Sequence, residues 1–192
     1  MWAPDYVTEE DLKAYLRISD SVDDMQIAWA IPAASRAVDQ HCNRQFGLVD
    51  IPEARTYTAS WDRGRGRYVV AIDDLMTVTG LSITGDAAVT DYSLQPSNAD
   101  VKGKPWTSLI LNEGGTRTED GISITARWGW TDVPLAVQQA TLLQASRFFA
   151  RRDAAFGVAG SPDIGSEMRL LAKVDPDVAV VLSPYQRWWA AV

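Results

Sequence analysis

The chain has 192 residues, of which 46% are hydrophobic and 22% charged, so it is too apolar to be disordered and long enough for a sizeable core. Its longest uninterrupted apolar run, residues 28–34, spans seven residues, far below the roughly 18 that a membrane-spanning helix needs. We therefore expect no transmembrane helix and no membrane partner. The N-terminus has neither a basic region nor an apolar stretch, which predicts a protein made without a secretory signal.

Cysteine, histidine and charge exclude several classes of function. Cys42 is the only cysteine and His41 the only histidine, which excludes an internal disulfide and an ordinary Cys/His zinc site. The net charge of -7 disfavours a protein that binds nucleic acid tightly by neutralising phosphates. It is compatible with a protein that DNA passes without being bound. Neither G-x-S-x-G nor H-E-x-x-H occurs, and residues 103–105 lack the rest of a phosphate-binding loop. The sequence thus predicts no catalytic residues, no metal and no cofactor.

Helical patterns begin the chain. Thr8, followed by three acidic residues, predicts the start of a short helix that ends near residue 18. Ser21 predicts the cap of a longer helix that reaches about residue 43. Pro32 lies inside this second helix and should kink it or split it near Ile31.

Helical patterns also end the chain. Asp132 as a cap and Pro134 in the first turn predict a helix that runs to about residue 152 and is apolar on several sides, hence buried on more than one. Residues 154–165 predict a mobile loop. A further helical region from Ser166, interrupted or restarted at Pro176, completes the pattern.

Residues between these helical regions are typical of strands joined by turns. They predict an antiparallel sheet with strands at 55–59, 67–72, 78–84, 90–95, 108–111 and 122–128. The patterns therefore predict a mixed helix and sheet protein of the α+β class, with an antiparallel sheet between two helical regions. Trp128 and Trp130 are expected to fill the core where the sheet joins the following helix.

Acidic residues allow a rival interpretation. Asp73, Asp74 and Asp91 are the residue type that binds divalent cations, so the chain could be a small metal-dependent hydrolase or nuclease if they converge. The alternative is that these aspartates lie apart from one another, for example at strand ends, and bind no metal. His41 and Cys42 are not expected to form a site, because adjacent helical residues point about 100 degrees apart.

A resemblance spread along the chain is more informative than any single motif. Residues 126–134, with the sequence ARWGWTDVP, together with residues 137–143 and 148–153, resemble the head-tail connector proteins of long-tailed bacteriophages, also called adaptor or head completion proteins. Further segments resemble the first two helices of that family (residues 6–8, 12–16 and 33–39), its sheet insert (73–75 and 78–81) and its late loop and helix (156–160 and 169–172). Pro32 departs from the uninterrupted second helix expected of the family.

The resemblance implies a structural virion protein without catalytic residues. Its fold would be a single α+β domain in which residues 1–52 and 132–192 form a helical bundle and residues 53–131 form an inserted β-sheet region. Such a protein would form a ring, of twelve copies, beneath the portal protein at the capsid vertex, after its synthesis in the host cytoplasm. Double-stranded DNA would pass through the ring without sequence-specific binding, and the next neck, stopper or tail protein would dock on it. A stopper or tail-terminator protein is the alternative within the same class, and it would lack the helical bundle.

Three sets of residues are candidates for contacts on this interpretation. A portal-docking tail comprises Pro184, Tyr185, Arg187, Trp188 and Trp189, because adjacent tryptophans near a terminus are typical interface anchors. The predicted interface between subunits comprises Leu135, Leu142, Phe148, Phe149, Arg151 and Arg152, although the two arginines equally suit a helix C-terminus. Contacts to the channel lumen or to a neck protein are predicted for Arg63, Arg65 and Arg67, whose alternative is a solvated hairpin tip.

Overall fold

A computed structural model describes residues 3–112, 118–151 and 175–188, together with the backbone of Val158–Ala159 and Met168–Arg169. The chain divides into two compact units. Met1–Phe46 and Val133–Val192 belong to the first, called the helical unit below, and Gly47–Asp132 form the second, the sheet unit. The predicted α+β class, helices with an inserted antiparallel sheet, is confirmed. Assembly into a ring stays a prediction.

The helical unit contains four described helices: α1 (Glu9–Leu16), α2 (Asp24–Cys42), α3 (Leu135–Ala150) and α4 (Pro176–Leu182). Helix α3 contacts each of the other three, which confirms that it is buried on more than one side. Its core side chains pack with those of α1 and α2 in one cluster that includes Leu12, Ile27, Ile31, Ala34 and Ala145. None of the helices within the described residues is long and apolar enough to cross a bilayer.

Helix starts follow the sequence at Thr8 but not at the other two predicted caps. The Thr8 hydroxyl accepts a hydrogen bond from the Asp11 backbone N–H, and the Asp11 carboxylate accepts one from the Thr8 N–H. Ser21 does not cap α2, because residues 20–23 form a turn in which the Asp20 carboxylate accepts from the Val22 N–H. Asp132 does not cap α3, which begins at Leu135 after an extended Pro134 with ψ of 140°.

The structure corrects two other helix predictions. Helix α2 is not split at Pro32, which lies on its exposed side, while Ile31 and Ala34 lie on the opposite side in the core. The alternative, a kink at Pro32, stays a prediction. The region after Ser166 is not helical at Met168–Arg169, because this pair forms a short antiparallel strand with Val158–Ala159. The rest of the predicted mobile loop and late helix, up to residue 174, lies outside the described residues.

The sheet unit holds two antiparallel sheets. A three-stranded sheet has the order β1-β7-β4, and a four-stranded sheet has the order β2-β3-β6-β5. The strands are β1 (Glu53–Tyr57), β2 (Ala59–Asp62), β3 (Arg67–Leu75), β4 (Ser82–Thr84), β5 (Tyr92–Gln95), β6 (Trp106–Leu111) and β7 (Ile122–Ala126). The short pair described above in the other unit is β8 (Val158–Ala159) and β9 (Met168–Arg169).

Predicted strands and observed strands differ most at residues 55–59. This stretch was predicted as one strand, but it divides at Thr58: Tyr57 pairs with Ile122 in the three-stranded sheet and Ala59 pairs with Val70 in the four-stranded sheet. The predicted strand at 78–84 is shorter, since only Ser82–Thr84 pair with β7. Trp128 and Trp130 are both buried, which confirms their predicted place in the core.

Cys42 lies fully buried at the end of α2. Burial raises the pKa of its thiol to about 12, whereas an unfolded cysteine titrates near 8.5. The nucleophilic thiolate is therefore scarce in the folded chain at pH 8. We expect the native protein to resist a maleimide at pH 8 and to react in urea, as followed by mass spectrometry. A Met25→Cys variant, whose new thiol is exposed, serves as the positive control, and rapid native labelling of Cys42 would contradict the burial.

Candidate protein interaction surfaces

The C-terminal segment is held firmly against the end of α2. The Arg187 N–H donates to the Cys42 carbonyl at 2.8 Å, and the Asn43 side-chain amide donates to the Arg187 carbonyl at 3.3 Å. One residue earlier, Gln186 Nε2 lies 2.9 Å from His41 Nε2. These contacts fix the backbone up to Arg187, so whatever follows starts from a rigid base.

The predicted docking tail separates into buried and exposed residues. Arg187 is buried, and Tyr185 is half-buried with its ring 5.9 Å from that of Phe46. Pro184 is exposed, and Trp188 is 82% exposed. Trp189 lies outside the described residues. Among the described tail residues, Trp188 is therefore the large apolar side chain that a partner can reach.

Helix α2 carries an exposed apolar stripe that sequence reasoning missed. Met25, Trp29, Pro32 and Ala33, here the α2 stripe, recur at intervals of three, four and seven residues and thus share one face of the helix. Trp29 is 67% exposed, and it lines a shallow groove of about 220 Å³ with Phe148 and Phe149. The spacing is present in the sequence, but the same helix also carries the apolar stripe from Ile27 to Cys42. The sequence alone does not show which of the two stripes is exposed.

A second apolar groove lies between α1, α3 and α4. It has a volume of about 470 Å³ and is lined by the apolar or aromatic side chains of Tyr15, Leu142, Leu143, Val178 and Val181, with Asp177 as its one charged lining residue. We call it the Tyr15 groove. Helix α4 forms one wall, and an ion pair between Arg147 and Asp175 ties the start of that helix to α3. Asp175 also caps α4 by accepting from the Asp177 N–H at 2.8 Å.

The residues predicted for the subunit interface do not gather on one surface. Leu142 lines the Tyr15 groove, whereas Phe148 and Phe149 line the groove beside Trp29. Leu135 is exposed at the start of α3, and Arg151 is half-buried at its end. Arg152 lies outside the described residues. The helical unit consequently presents two separate apolar surfaces.

The three predicted arginines of the sheet unit surround the turn between β2 and β3. All three are exposed. Arg65 forms an ion pair with Asp62 at 2.6 Å, and Arg67 bonds to the Asn112 side chain. Backbone N–H groups of the turn, Arg65 first, donate to the Asp62 carboxylate and lower its pKa. The turn is thus an ordered, basic hairpin tip.

The acidic residues of the rival interpretation have separate hydrogen-bond partners. Asp73 accepts from Arg55 and from the Tyr57 hydroxyl, and Asp74 accepts from the Trp130 indole. Asp91 accepts from the Asn112 amide. In the parts of the chain that the structure describes, no group of three or more His, Cys, Asp or Glu side chains comes together to hold a metal ion.

Comparison with known protein families gives a match that covers both units of the chain. No curated protein sequence matches it. A family described as "Head completion protein" does match, over residues 5–187, which takes in the helices, the inserted sheets and the anchored C-terminal segment. This range is nearly the whole chain and agrees with the resemblance read from the sequence, so the chain belongs to the head completion protein family, a family of structural proteins of the bacteriophage head.

Proposed function

We propose that this protein is the head-tail connector subunit that completes the head after DNA packaging. A ring of twelve copies binds below the portal protein, extends the DNA channel, and presents a platform to the next neck or tail protein. The observation that carries the proposal is the family match across residues 5–187. The four-helix unit favours a connector over a stopper or tail-terminator protein, which would lack such a bundle.

Portal docking is assigned to the segment after Arg187. Trp188 is almost fully exposed, while the hydrogen bonds at Gln186 and Arg187 fix the backbone from which it projects. A partner that buries Trp188 therefore orders little additional chain, and preorganisation of this kind favours tight binding. Large aromatic side chains are also the most frequent energetic anchors of protein interfaces.

Contact with DNA or with a neck protein is assigned to the hairpin tip that bears Arg63, Arg65 and Arg67. Exposed arginines on an ordered turn suit contacts to phosphate oxygens, which carry no sequence information. The chain as a whole is acidic, with 25 Asp and Glu against 18 Lys and Arg. Such a balance lets DNA slide past without being held.

Truncation after Arg187 tests the docking assignment. Removal of residues 188–192 spares the buried Arg187 and its contacts to α2, so the helical unit should keep its circular dichroism spectrum and melting temperature. We expect the truncated protein to lose at least about 30-fold in affinity for the portal of the same phage, the loss typical of an interface anchor. Electron microscopy should show bare portals with it and an added ring with the full chain.

Trp61→Ala is the matched control, because Trp61 is an exposed tryptophan of the sheet unit. This variant should still add a ring to the portal. Full binding by the truncated chain would contradict the docking segment, and bare portals with the full chain would overturn the connector role itself.

A further inference from the structure

The helical unit presents two apolar surfaces of different form. The α2 stripe is the ridge of a single helix, with Trp29 as its largest side chain. The Tyr15 groove is a depression between three helices. Ridges on one helix pack into grooves between side chains of others in most helix interfaces. At about 470 Å³ the groove lies within the range of pockets that hold small-molecule ligands.

Charge complements the shapes. Arg36 is the one charged side chain on the helix positions 25, 29, 32, 33 and 36 that make up the stripe and its continuation. It is half-buried and already contacts Asp39 and the Pro4 carbonyl. Asp177 is the one charged residue among the described residues that line the groove. The Arg36 side chain is 30% exposed and its Asp39 partner 12%, so the positive group is the more accessible of the pair and is opposite in sign to Asp177.

We propose that the α2 stripe of one copy of this chain packs into the Tyr15 groove of the next copy. This inference rests on the proposed connector function and specifies its contact between subunits. A contact of this kind is head-to-tail, because it joins two different surfaces. Each copy then offers a free groove to one neighbour and a free stripe to the other, and the series ends only when it closes into a ring.

A second copy of this chain covers both apolar surfaces, whereas any other single partner covers one of them. An unrelated protein on the stripe would leave the groove exposed, and one in the groove would leave Trp29 and Met25 exposed. A symmetric dimer through the stripe would also leave the groove open. The head-to-tail contact covers both surfaces at once, as soluble proteins do with large apolar patches.

Disulfide cross-linking distinguishes the possible contacts. Met25→Cys places a thiol on the stripe without removing Trp29, and Val181→Cys places one on the wall of the groove. Cys42 stays unreactive because it is buried. We expect each single variant to remain unlinked, their mixture to give a disulfide dimer, and the double variant to give a ladder of multimers under mild oxidation. The experiment is run on concentrated protein alone and on portal-bound protein.

The controls separate this inference from the proposed function. Trp29→Glu, placed in the double variant, should reduce the ladder at least about 30-fold, whereas Trp61→Glu in the same background should leave it intact. A dimer from Met25→Cys alone would show a symmetric contact, and absence of the ladder both with and without portal would show that the stripe does not meet the groove of a second copy. Either result overturns the inference. An added ring on the portal together with no ladder would leave the connector function standing.

Discussion

Replacing Trp128 with alanine is expected to lower the free energy of unfolding of the sheet unit by about 3–5 kcal/mol. Trp128 is 1% exposed and has one of the largest fully buried side chains of the described chain. Its indole N–H donates to the Glu53 carbonyl at 2.9 Å, and its ring lies 5.7 Å from that of Tyr57. The guanidinium of Arg55 lies 5.1 Å from the ring. Alanine would leave a cavity and an unpaired carbonyl together.

Guanidinium unfolding followed by far-UV circular dichroism measures this loss. Trp61→Ala is the matched control, because Trp61 lies on the edge strand β2, is 47% exposed, and packs edge-on against Tyr68 alone among the described aromatic rings. We expect it to cost about 1 kcal/mol or less. Equal losses in the two variants would contradict the central place of Trp128 in the sheet core.

Local patterns predicted most of the elements and the start of α1 at Thr8, but not the starts of α2 and α3 or the strand pairings. The Asp132 cap was wrong because a proline disfavours helical backbone at the residue before it, here Val133, so no helix can begin there. The division at Thr58 was missed because it depends on partners more than 10 residues away in sequence, β3 and β7. Such pairing produces no local sequence pattern, so residues 55–59 have the pattern of one continuous strand.

The candidate surfaces show the same limit. Trp188 and Arg187 were both predicted to dock on the portal, yet of the two only Trp188 is exposed. Arg187 is buried because its backbone bonds to the end of α2, about 145 residues earlier, and no local pattern indicates this contact. The Tyr15 groove needs three helices to meet, so its residues carry no shared pattern in the sequence.

Tyr6 joins three parts of the helical unit. Its hydroxyl donates to the Asp39 carboxylate and accepts from the Phe46 N–H at 2.9 Å. Its ring meets that of Phe46 edge-on, with centroids 5.6 Å apart, and Phe46 in turn meets Tyr185. The N-terminal segment, the end of α2 and the C-terminal segment are thus linked through one buried aromatic chain.

Tyr6→Phe is expected to destabilise the helical unit, because it removes the two buried hydrogen bonds that the Tyr6 hydroxyl makes with the Asp39 carboxylate and the Phe46 N–H. A buried polar group left unpaired costs roughly 1–3 kcal/mol. Tyr15→Phe is the control, since the Tyr15 ring is half-exposed and its loss of a hydroxyl should change the free energy of unfolding by about 0.5 kcal/mol at most. Urea unfolding at pH 7 measures both, and equal stabilities would contradict the role of the Tyr6 hydroxyl.

The pH dependence of stability gives Tyr6 a second, independent signature. Burial, reinforced by the hydrogen bond to Asp39, raises the pKa of the Tyr6 hydroxyl well above its usual value. An unfolded tyrosine titrates near pH 10. The folded chain therefore holds this proton more tightly, so the stabilisation is complete below about pH 10 and is lost as the pH rises further, by up to about 1.4 kcal/mol per pH unit.

Tyr57 in the sheet unit titrates in the same direction, because burial and the neighbouring Asp73 raise its pKa as well. The two contributions can be separated by comparing Tyr6→Phe with Tyr57→Phe between pH 9 and 11. Each variant should lose the alkaline slope of its own unit and retain that of the other. If Tyr6→Phe kept the full alkaline slope of the helical unit, the Tyr6 hydroxyl would have to ionise freely in the folded chain, and its bond to Asp39 would contribute no stability.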